Sequence, residues 1–190
     1  MTVPRLRLFV AVDTPPSVKE RILALQEELK QTGADVRWEP PEKVHATLKF
    51  LGATDQERLV EIISTIETTT AGQQGFRIVY REVGCFPSMR RPRVVWIGMD
   101  DTDGRLRDLQ QRIESSMEKL GFTKEDRPFH PHITLCRVKG DKNLDVLLRR
   151  LETVTFESQP VEIREVALVR SDLRANGSVY TTLKSFPLSR

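Results

Sequence analysis

The 190-residue sequence repeats itself once, and that repeat sets the strongest limit on what it can fold into. A gapless shift of 87 positions lays His45-Ala46-Thr47-Leu48 on His132-Ile133-Thr134-Leu135. The same shift matches Pro41 with Pro128, and Asp13 with Asp100, each aspartate closing an apolar run. It also brings the helical stretches after the two tetrads into step and lays Phe76–Val83 on Ile163–Arg170. Two short tetrads can arise by chance. Two tetrads with their scaffolding in register indicate a duplicated unit.

Periodicity assigns the elements. Leu6–Asp13 reads as a buried strand, followed by a helix over Val18–Gln31 with Ser17 as its cap. Val36–Trp38 and Val44–Leu51 read as strands, the second carrying the first tetrad. Thr54 or Asp55 is expected to cap a helix running to about Thr68, ahead of a strand at Phe76–Val83. Gly84–Arg93, with Pro87 and Pro92, reads as a loop. Val94–Met99, a helix over Leu106–Leu120, the second tetrad strand His132–Val138 and a helix over Asn143–Leu151 come next. Strands at Val161–Arg170 and Val179–Phe186, joined by a turn at Asn176-Gly177, complete the chain.

The expected class is α/β (α+β), a single two-lobed domain over residues 1–190. Two pseudo-symmetric lobes, about 1–85 and 90–175, would each hold a mainly antiparallel sheet flanked by helices. The last strand, about 178–187, has no counterpart and is expected to join the sheet of the first lobe. A pseudo-two-fold between lobes would set the tetrads face to face across a cleft.

Alternate residues of a strand share a face, so His45 with Thr47, and His132 with Thr134, point the same way. Imidazole titrates near neutrality, so two opposed histidines can act as acid and base while the threonine hydroxyls hold an anion. That pairing suits in-line displacement at a phosphoryl group. Arg137 lies five residues after His132, on the other face of an ideal strand, and contributes charge only if the strand bends. Phe50 holds the corresponding place after His45 and could stack on a base. Spacing alone assigns neither.

With a net charge of +3 and a pI near 9.0, the chain suits an anionic small molecule or a nucleic-acid end without pointing to duplex binding. No apolar run approaches the roughly 20 residues of a membrane span, and the N-terminal run closes at Asp13, so a cytoplasmic protein is expected. Cys85 and Cys136 have neither metal-knuckle nor redox spacing and are expected to be reduced and buried.

Four segments, RLFVAVD, HATLKFLG, RVVWIGMD and FHPHITLCR, occur in an order that resembles the two-histidine phosphoesterase superfamily. Within it the chain is most similar to the RNA 2′,3′-cyclic phosphodiesterases, also described as 2′-5′ RNA ligases, over nearly its whole length. The resemblance implies a bilobal fold and hydrolysis of a 2′,3′-cyclic phosphate to a 2′-phosphate, with neither metal nor cofactor. It implies His45 as acid toward the leaving O3′, His132 as base toward water, Thr47 and Thr134 as phosphate contacts, and Phe50 and Arg137 as flanking contacts. RNA ends or nucleotides bearing a cyclic phosphate are the implied partners. Neither a membrane nor an obligate protein partner is expected, and the chain is expected to be monomeric. Ligation from the same site, or a non-catalytic RNA-end binding module, are the alternatives.

Four other features have plain readings. His130 lacks a counterpart in the repeat and is taken as structural or supporting. Trp38 and Trp96 are assigned to the core, and Asp100, Asp101 and Asp103 to capping the next helix. Arg90, Arg91 and Arg93 form either a solvated surface or an RNA-tail contact.

Overall fold

In β1 (Arg5–Asp13) the five consecutive residues Leu8–Val12 are all buried. An unbroken apolar run of this kind belongs to a strand covered on both faces. A computed structural model, which describes residues 4–174 and 177–189, places it inside a four-stranded antiparallel sheet. Its neighbours there are β3 (His45–Asp55) and β8 (Glu165–Arg174), and β8 in turn pairs with β9 (Gly177–Pro187). The second sheet has five strands in the order β2 (Val36–Trp38), β6 (His132–Val138), β5 (Val94–Asp100), β4 (Phe76–Phe86) and β7 (Val161–Ile163). The described residues also form four α-helices: α1 (Pro16–Lys30), α2 (Leu59–Thr70), α3 (Arg105–Lys119) and α4 (Leu144–Leu151).

Membership of the sheets departs from the sequence halves. β2 and β4 lie in the sheet of the second tetrad, whereas β8 joins β1 in the sheet of the first. The bounds 1–85 and 90–175 therefore mark the repeat and not the sheets: each repeat hands its last strand to the other sheet. A repeat records which segments are alike, while pairing is decided by whichever hydrogen-bonding edge is open. Helices cross over as well. From α1, Gln26 bonds β6 and Glu28 pairs with Arg150 of α4. From α3, Glu114 pairs with Lys49 of β3.

Several expected boundaries shift. Ser17 is not the cap of α1, which begins at Pro16 after Pro15, a residue preset for a helix start. Neither Thr54 nor Asp55 caps α2, because β3 runs on to Asp55 and a 3₁₀ turn at Gln56–Arg58 leads into the helix. β4 continues through Gly84 to Phe86, since those residues still pair with β5. Gly84 is required there: a Cβ would stand 2.3 Å from the Trp96 ring. Asp101 does hold the start of α3, its carboxylate accepting from the Leu106 and Arg107 N–H groups. Asn176 of the expected turn lies outside the described residues.

Candidate active site

The two tetrads open β3 and β6, and each strand carries a β-bulge at the tetrad leucine. Along β1, Val10 faces Lys49 and Ala11 faces Thr47, so Leu48 is the extra residue. Along β5, Val95 faces Cys136 and Trp96 faces Thr134, so Leu135 is the extra residue. A bulge turns two successive side chains to one side and inverts the phase of the strand beyond it. Accordingly Leu48 and Lys49 are both buried, as are Leu135 and Cys136. Phe50 then returns to the face of His45 and Thr47, and Arg137 to the face of His132 and Thr134. The strand irregularity that Arg137 needed is present.

At each bulge the carbonyl of the extra residue is met by a buried glutamine from a crossed-over helix. Gln110 Nε2 of α3 donates to the Leu48 carbonyl at 3.3 Å. Gln26 Nε2 of α1 donates to the Leu135 carbonyl at 3.1 Å and to that of Glu39 at 2.7 Å. The pairing of β1 with β3 and of β5 with β6 is not fully equivalent, however. His45 faces Asp13, but His132 faces Gly98, two residues short of Asp100. The uniform shift of 87 fails at this point.

Both histidines are fixed in the same way. His45 Nδ1 lies 2.7 Å from the Lys43 carbonyl, at the end of a 3₁₀ turn over Pro41–Lys43, and His132 Nδ1 lies 2.7 Å from the His130 carbonyl. A carbonyl only accepts, so Nδ1 carries a hydrogen in each ring and Nε2 is left for proton transfer. Phe9 stacks on His45 at 4.6 Å between centroids, and Tyr180 of β9 meets it edge-on at 5.2 Å. His132 is walled instead by Phe86 at 4.9 Å and Trp96 at 6.4 Å. Burial holds both imidazoles below their usual value. The charges around them differ: at His45 Asp13 favours the protonated form and Lys19 disfavours it, whereas at His132 both His130 and Arg137 disfavour it.

The first sheet reaches the second at this site. β3 packs against β6, and the Tyr180 phenol feels the charges of Glu39, Arg137 and Arg37. Phe50 is 62% exposed at one flank and Arg137 is exposed at the other. His130 is exposed and supports the site through its carbonyl and a ring contact with Trp96 at 4.7 Å. Trp96 itself faces the site beside Thr134, not the core, because the bulge sets its register. Arg90, Arg91 and Arg93 lie exposed on the loop after Phe86, next to the His132 wall. Cys85 and Cys136 are free and buried, and burial pushes their thiols up to about 11 and about 12. Among the described residues no cluster of three His, Cys, Asp or Glu is placed to hold a metal ion. Nor is any helix there long and apolar enough to cross a membrane.

A family model described as LigT like phosphoesterase matches the chain twice, over residues 12–96 and 97–180. The chain belongs to the LigT-like phosphoesterases. The double match falls on the two copies of the repeat. Among similar proteins, the RNA 2′,3′-cyclic phosphodiesterase of Methanothermobacter thermautotrophicus is 35% identical over 97% of this chain and 100% of its own. The RNA 2′,3′-cyclic phosphodiesterase of Aquifex aeolicus is also 35% identical, over 96% and 97%. Of solved LigT-like structures, the Thermus thermophilus protein TT0787 superposes with a TM-score of 0.81 at 29% identity, covering 96% of this chain and 98% of that one. E. coli LigT complexed with 3′-AMP gives 0.80 at 27%, covering 98% and 99%.

Proposed function

We propose that this chain is a metal-independent RNA 2′,3′-cyclic phosphodiesterase that opens the cyclic phosphate to a 2′-phosphate. The observation that carries the proposal is the matched pair of carbonyl-anchored imidazoles, each with a threonine on its own face and a free Nε2. Full-length similarity to proteins of that activity supports the substrate class.

In this reading Thr47 and Thr134 donate to the non-bridging oxygens of the cyclic phosphate and meet the charge that develops there, and Arg137 is a flanking contact to the substrate. His132 Nε2 takes a proton from water as it attacks phosphorus. The P–O3′ bond breaks in line, and His45 Nε2 gives its proton to O3′. Asp13 beside His45 and Arg137 near His132 favour this polarity, while Lys19, which is paired with Asp13, opposes it. Phe50, exposed beside the site, offers a stacking face for the base. The proposal is completed by a cytoplasmic location, which two buried free thiols suit, and by a monomeric chain.

The test is phosphorus NMR of a nucleoside 2′,3′-cyclic phosphate with EDTA-treated protein and with the His45→Ala and His132→Ala variants. Conversion to the 2′-phosphate, lost in both variants, is expected. A 3′-phosphate product would overturn the leaving-group assignment. Nucleotide binding without conversion would favour an RNA-end binding module.

A further inference from the structure

Arg37 and Arg137 stand directly opposite each other in the antiparallel pairing of β2 with β6. Residues directly opposite in such a pair project from the same face of the sheet, and like charges there lower stability. Arg137 shares its face with His132 and Thr134 because of the bulge at Leu135, so Arg37 projects onto that face too. Both are exposed, and among the described residues neither has a carboxylate within ion-pair distance. The Glu39 carboxyl feels both guanidinium charges, and burial pushes it toward the neutral form. Tyr180 feels both arginines as well, while its ring touches His45, so the pair opens toward the same cleft.

Two guanidinium groups that project from opposite positions on one sheet face, neither with a carboxylate partner among the described residues, suit phosphate oxygens in charge and in donor geometry. We propose that Arg37 and Arg137 together form a second phosphate subsite, which takes the 5′-phosphate of the nucleotide bearing the cyclic end. In an RNA strand this group is the phosphodiester to the preceding nucleotide. The inference rests on the proposed function and sharpens it: the site is built for strand ends and 5′-phosphorylated nucleotides more than for bare nucleosides with a cyclic phosphate.

Titration calorimetry with a nucleoside 2′,5′-bisphosphate and the matching 2′-monophosphate reads the subsite without turnover. The intact protein should prefer the bisphosphate by about ten-fold, the worth of a charge-assisted contact. Arg37→Ala should lose most of that preference, and Arg37→Lys should recover part of it. Arg37→Ala should also melt no lower than the parent, because an exposed like-charge contact is removed. Equal affinity for the two ligands in the parent, or equal weakening of both by Arg37→Ala, overturns the subsite. If the parent keeps the preference but opens no cyclic phosphate, the subsite stands and the proposed reaction falls. If it opens the cyclic phosphate without the preference, the reverse holds.

Discussion

Gln26→Leu tests whether the bulge in β6 depends on a side chain more than one hundred residues away in sequence. Gln26 is 1% exposed and its amide serves two carbonyls, those of Glu39 and Leu135. Leu135 keeps a second donor, the Glu39 N–H at 2.8 Å, so its loss is that of one ordinary bond, about 1 kcal/mol. Among the described residues the Glu39 carbonyl keeps no other donor, and leaving it unmet costs about 1–3 kcal/mol. Removing a buried amide of similar volume returns part of this, so the net destabilisation should be about 2 kcal/mol. With a urea slope of about 1–3 kcal/mol/M, the midpoint should fall by about 1 M. Gln110→Leu removes bonds of 3.3 Å only and should cost less. Because Glu39 and Arg137 flank the same bulge, Gln26→Leu should also lower kcat/KM. Urea midpoints and turnover measured side by side decide it. A midpoint within error of the parent refutes the idea that these amides hold the bulges, and equal losses from both glutamines refute the ranking of the two.

Two further outcomes come from burial. Both imidazoles lie below their usual value of about 6.5, and activity needs one neutral and one protonated, so kcat/KM should peak below about pH 6.5. It should fall on the alkaline side as His45 loses its proton and on the acid side as His132 gains one. A pH–rate profile centred above about 7 would contradict this. The Lys49–Glu114 pair is nearly inaccessible, and Lys49 also donates to the Thr123 carbonyl at 2.6 Å. Glu114→Ala should cost about 3–5 kcal/mol by stranding a buried ammonium, while Lys49→Met with Glu114→Leu should cost much less. Equal midpoints for the single and double variants would refute that account.

The strands and helices were largely legible because apolar spacing and the repeat report local structure. His45, His132, Thr47 and Thr134 were legible for the same reason: a two-residue period fixes a face as long as the strand is regular. The two-residue period leaves Arg137 conditional on a strand irregularity, because a single inserted residue leaves no mark in composition, and it does not distinguish a Trp96 that lines the core from one that lines a cleft. Gln26, Gln110, Arg37 and Tyr180 were missed. Each acts through a partner fixed by tertiary pairing, and Tyr180 lies on the strand without a counterpart in the repeat.

The exchange of β4 and β8 also bears on how such a chain is made. A half chain on its own would hold a strand whose proper neighbour is absent and an open edge waiting for the neighbour's strand. Its natural complement is the other half, the first lending β2 and β4 and the second lending β8 and β9. The covalent chain is thus a reciprocal embrace closed by a linker, and a cut in the loop 87–93 should leave two pieces that reassemble but do not fold apart. An interlock of this kind resists hinge opening. The strands that carry the two histidines, β3 and β6, thus belong to sheets that each hold strands from both halves.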